Sequence, residues 1–197
     1  MEYPKFFNNI ETIKLKDPLS NHLGTFLDGF VEFSYLEIVK ASGHSCPTVA
    51  GAYLMALEGL KALYKDEVPQ RGNIFVSFKN SIEEGNMGVI ANVLTHITGA
   101  TKRFGFTGIK GNFSRRNLME FKEDIFGDIQ LKRLDNNKTV DISYDHSVIE
   151  GKPELMKKMQ KILKGEASEE EKKAFGIMWQ ERVEEIFSNI DKVITIK

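Results

Sequence analysis

His44 and Cys46, one serine apart in the run Gly43-His44-Ser45-Cys46-Pro47, are the residues best suited to chemistry in this chain. Imidazole and thiolate are donors that zinc and its neighbours in the transition series accept readily. The same pair can serve as base and nucleophile in thiol catalysis. Pro47 suits the first turn of a helix, where its missing N–H costs nothing and its fixed φ helps the helix start. Cys46 is thereby expected at or beside the N-cap, where unbonded N–H groups and the positive end of the helix dipole favour thiolate over thiol. The spacing predicts either half of a metal site or the start of a nucleophilic one.

Metal sites with an exchangeable position often use three protein ligands. The chain offers His22, His96 and His146, plus carboxylates such as Asp28. His22 is the expected third ligand, because it precedes the motif in a glycine-punctuated stretch; its plainer reading is a solvent-facing helix histidine. His96 lies on a mostly apolar helix and reads first as a core histidine bonded to backbone. His146, beside Asp145, reads as a loop residue. The rival chemistry is a metal-free Cys/His nucleophile, for which no residue offers itself to orient the imidazole.

Other features carry less. Residues 105–111 are glycine-rich but lack both the Walker ending and the Rossmann spacing, and read as turns between strands. Arg115 and Arg116 with Lys102 and Arg103 could receive the acidic group of a small ligand; ordinary surface charge is the plainer reading.

The elements that position these residues follow from local pattern. Residues 10–16 alternate apolar and polar as a strand. Asp17-Pro18 opens a short helix carrying His22, which Gly24 can close. Ser34 caps a helix that ends near Gly43 and delivers the chain to His44. Residues 46–64 carry an apolar stripe too wide for a surface helix, so that helix should be buried on most sides. Its small residues Ala50, Gly51 and Ala52 would let another backbone approach, in the interior or at a subunit interface. A core strand at 73–78, an apolar helix at 88–98 and a hairpin of strands 129–134 and 139–144 follow. Residues 153–163 form an amphipathic helix, Ser168-Glu169-Glu170-Glu171 is a capping box for a longer one to about 188, and residues 193–196 can be a final strand. Trp179, on that longer helix, is expected to pack on the core or on a second subunit.

Composition sets the frame. The 197 residues, 41% hydrophobic and 28% charged, suit a globular protein with a real core. A net charge of −1 gives no electrostatic reason to expect nucleic acid or an anionic membrane as partner. One cysteine excludes an internal disulfide and a CxxC zinc ribbon. The first residues lack a signal-peptide layout and no apolar run is long enough to span a bilayer, so a cytoplasmic protein is expected.

The run Ser42-Gly43-His44-Ser45-Cys46-Pro47-Thr48-Val49-Ala50-Gly51 resembles the His-Gly-His-x-Cys-Pro-Gly-x-x-x-Gly signature of the FmdE family, which takes its name from formylmethanofuran dehydrogenase. Leu94-Thr95-His96-Ile97-Thr98-Gly99-Ala100-Thr101 is similar to that family's second block. The resemblance spans residues 35–116. It implies an α+β domain, often dimeric, that binds a transition metal such as zinc through the His/Cys motif. It does not bring the formylmethanofuran reaction with it. Ser42 stands where the family has its first histidine and Thr48 where it has a glycine; His22 could replace the lost ligand.

The combined expectation is an α+β fold: a mixed sheet with a buried central helix after the His-x-Cys-Pro motif, plus C-terminal helices. Residues 1–150 would form the metal-binding domain and 151–197 a helical extension packed on it. Zinc or a similar divalent ion would be held by His44, Cys46 and His22 in a homodimer, in a small metalloenzyme. The alternatives are a non-catalytic accessory module of a redox enzyme and a metal-free thiol catalyst.

Overall fold

The computed structural model describes residues 2–197. Its chain is α+β, as the patterns predict. A single turn of 3-10 helix at Lys5–Asn9 precedes β1 (Ile13–Lys16), α1 (Pro18–His22) and β2 (Phe30–Phe33). Next come α2 (Tyr35–Ser42), α3 (Pro47–Tyr64), β3 (Ile74–Phe78), α4 (Met87–Thr98) and β4 (Met119–Phe121). β5 (Ile129–Arg133) and β6 (Thr139–Tyr144) form the hairpin. The C-terminal elements are α5 (Pro153–Leu163), α6 (Glu169–Phe187), α7 (Ile190–Val193) and β7 (Ile194–Ile196).

Five strands make one mixed sheet in the order β4-β3-β5-β6-β7, while β1 and β2 pair separately as an antiparallel ribbon. Only β3 and β4 run parallel. Parallel neighbours need a crossover between them, and α4 lies within it. β7 adds the C-terminus to the sheet edge on β6, so the last segment is woven into the same layer as the hairpin.

α3 is the centre of the molecule. Fourteen of its eighteen residues are buried, on every side of the helix. It packs against β5, β6 and β7 on one side and against α2, α4 and α6 on the others. The small residues serve this packing within the chain: a β-carbon on Gly59 would come within 2.9 Å of Ile142 and Leu131. Gly51 gives way in the same manner to the ring of Tyr144.

A buried ion cluster joins the ribbon to the sheet. Asp17 caps α1, accepting from the N–H groups of Leu19 and Ser20 at 3.0 and 3.3 Å. Its two carboxylate oxygens also take Arg115 Nη2 at 2.7 Å and Arg71 Nη1 at 2.9 Å. Arg71 reaches on to the carbonyls of Ile97 and His96, closing the end of α4. The Arg115 guanidinium fills the space beside Gly72, which has φ +80° and no room for a side chain. No helix among the described residues is long and apolar enough to cross a membrane.

Candidate metal centre

Local sequence builds the loop that carries the two donors. Ser34 and Glu37 form a reciprocal capping box at the start of α2. Gly43 ends α2 in the left-handed conformation, with its N–H on the Val39 carbonyl at 2.8 Å. The chain then turns through His44 and Ser45 into Cys46, which is the N-cap of α3, with Pro47 at the first helical position. Cys46 Sγ accepts the Val49 N–H at 3.4 Å. The thiol therefore sits at the helix terminus that the sequence predicts, half-buried.

His44 is exposed, and its Nδ1 lies 3.1 Å from the Ser42 carbonyl oxygen. A carbonyl can only accept, so Nδ1 donates in this bond, and in the neutral ring Nε2 is the nitrogen with the lone pair. Metal-binding histidines are oriented by the same arrangement. The imidazole and the thiol are each bonded to backbone, and among the described residues no hydrogen bond joins them to each other.

The peptide groups around the thiol are held by distant side chains. The Ser45 hydroxyl pairs with the Tyr35 phenol at 2.9 Å. The Ser45 carbonyl accepts Trp179 Nε1 at 3.0 Å and Gln180 Nε2 at 3.3 Å, both from α6. The Pro47 carbonyl accepts the Tyr144 phenol at 2.7 Å. Burial pushes the Tyr144 hydroxyl above its ordinary pKa, and the neighbouring Cys46 and Tyr35 add to the rise, so it stays protonated and able to donate. Burial raises Tyr35 in the same direction.

The remaining sequence candidates stand apart. His22 ends α1, exposed, with its ring 5.2 Å from that of Phe113. His96 is exposed, not in the core: on α4 it falls on the outward side, while Val93, Leu94 and Ile97 turn inward, and only its carbonyl is used, by Arg71. His146 lies on a short 3-10 turn with its ring 5.7 Å from Tyr144. Asp28 is exposed and accepts the Phe30 N–H. Among the described residues, no three His, Cys, Asp or Glu side chains gather closely enough to hold an ion, so one chain does not bring His22 to His44 and Cys46. The donor types of His44 and Cys46 are ones that a zinc-type ion accepts.

The basic cluster is largely committed within the fold. Arg115 is buried against Asp17, Lys102 is paired with Glu120, and Arg116 Nε donates to the Gly105 carbonyl. The reading of Arg115 as surface charge is thus replaced by that of an internal counter-ion. Tyr35, Tyr144, Trp179 and Gln180 were not readable as site neighbours, because no local spacing links positions 45 and 179.

The protein family described as "FmdE, Molybdenum formylmethanofuran dehydrogenase operon" matches residues 41–195. The match begins just before the His44/Cys46 motif and runs through the C-terminal helices into β7. No curated protein matches the chain.

Proposed function

The chain belongs to the FmdE family, and from that premise we propose that it binds a zinc-type divalent transition metal through His44 Nε2 and Cys46 Sγ at the N-terminus of α3. The observation that carries the reading is the bond from His44 Nδ1 to the Ser42 carbonyl, which leaves the Nε2 lone pair for an ion. The Val49 N–H, bonded to Cys46 Sγ at 3.4 Å, holds the sulfur at the helix terminus beside His44 in the chain.

Two protein donors leave coordination positions to be filled from outside. Water or a small substrate filling them describes a metalloenzyme, in which the bound ion supplies Lewis acidity. The same pair from a second copy filling them describes a homodimer with a closed site, suited to an accessory module. His22, exposed on its helix, is proposed as a further donor from a second copy.

Metal analysis of protein purified without chelator tests the reading. It predicts a stoichiometric ion in the native chain and its loss in His44→Ala and Cys46→Ala. The absence of any ion, or an unchanged content in both variants, overturns it. Loss in His22→Ala as well assigns the third donor.

A further inference from the structure

The Ser45 carbonyl belongs to the peptide bond whose nitrogen is that of Cys46. Two side chains of α6, Trp179 and Gln180, converge on that single oxygen. Both come from the far end of the sequence, 134 and 135 residues away. Fixing this carbonyl fixes the peptide plane before the thiol, and with it the direction in which the Cys46 side chain leaves the backbone. It also fixes the end of the two-residue turn that carries His44. α6 itself is anchored independently, through buried Val183 and Ile186.

We propose that Trp179, with Gln180 as second donor, is a positioning residue for the His44/Cys46 pair, setting the peptide plane that aims the thiol through the Ser45 carbonyl. This rests on the metal-binding reading only for its consequence on metal affinity; the effect on the thiol stands without it. The C-terminal helix thereby becomes part of the site through these two donors. Trp179 is also the sole tryptophan of the chain. Its indole N–H is bonded beside the thiol, so its fluorescence reports directly on an ion bound there.

The test compares the native chain with Trp179→Phe/Gln180→Leu and with Val183→Ala. The double variant keeps an aromatic ring and bulk but removes both donors. Val183→Ala weakens α6 through a core contact that leaves the donors in place. Cobalt(II) binding is followed by its thiolate charge-transfer band, and Cys46 alkylation by iodoacetamide is timed in metal-free protein. Loss of two hydrogen bonds should weaken cobalt binding about tenfold and quicken alkylation about fivefold. Val183→Ala should leave both unchanged, and cobalt should shift the native tryptophan emission. Equal values in the double variant and the native chain, or equal shifts in Val183→Ala, overturn the proposal. If the native chain binds no cobalt, the metal reading fails, and the alkylation rates alone decide the role of Trp179.

Discussion

The ring of Tyr144 occupies the space that a β-carbon on Gly51 would take, and its phenol donates to the carbonyl of Pro47 four residues earlier. Strand β6 is thereby keyed into the first turns of α3, beside Cys46. A glycine this deep in a helix costs helix stability on its own, about 1 kcal/mol relative to alanine. What requires glycine here is the ring, not the helix.

Gly51→Ala should therefore destabilise the protein by about 1–3 kcal/mol, because overpacking outweighs the gain in helix propensity. Denaturant unfolding checks this. Gly51→Ala/Tyr144→Ala should cost less than the sum of the two single variants, since the clash disappears with the ring. Additive values would show that the ring and the glycine are not in conflict.

Ser45 and Tyr35 should respond asymmetrically to loss of their shared bond. Tyr35 is fully buried, so Ser45→Ala leaves its phenol without a partner, at about 1–3 kcal/mol. Tyr35→Phe leaves only the half-buried Ser45 hydroxyl, which water can reach, and should cost less. Thermal unfolding of the two variants gives the order; a larger loss in Tyr35→Phe would contradict it.

The Asp17 cluster should set an acid limit on stability. Burial alone would raise the Asp17 carboxyl, but the hydrogen bond from Arg71, the charge of Arg115 and the Ser20 N–H together hold it below its ordinary value of 3.8. A carboxyl depressed in the folded state stabilises the fold fully above its unfolded pKa. That contribution is lost as pH falls below 3.8 and through the folded value. Asp17→Asn should lower stability at neutral pH by about 3–5 kcal/mol, since Arg115 stays buried without its counter-charge. The variant should also flatten the acid limb of a plot of unfolding free energy against pH. An unchanged acid limb would place that limit elsewhere.

The parts legible in the sequence were those encoded locally. Pro47 after Cys46, the Ser34 cap, the Ser168 capping box and the turn between β5 and β6 each act within a turn or two, and each element formed where its signal lies. β2 and β4 carried no such signal. They are four and three residues long, and their strand character comes from pairing with β1 and β3. His96 lies outside the core because the apolar helix around it is amphipathic, with one side facing water. The bonds from α6 to Ser45 join residues more than 130 positions apart, a relationship that only the folded chain displays.

Binding of an ion by His44 and Cys46 is read at the metal itself by X-ray absorption at the zinc edge of the reconstituted protein. The proposed site gives a sulfur shell at about 2.3 Å together with a nitrogen shell at about 2.0 Å. The sulfur shell should vanish in Cys46→Ser and the imidazole scattering should fall in His44→Ala. One sulfur per ion corresponds to a site with positions open to water or substrate, and two to a site shared between copies. A first shell of light atoms alone, unchanged in both variants, would show that neither residue binds the ion.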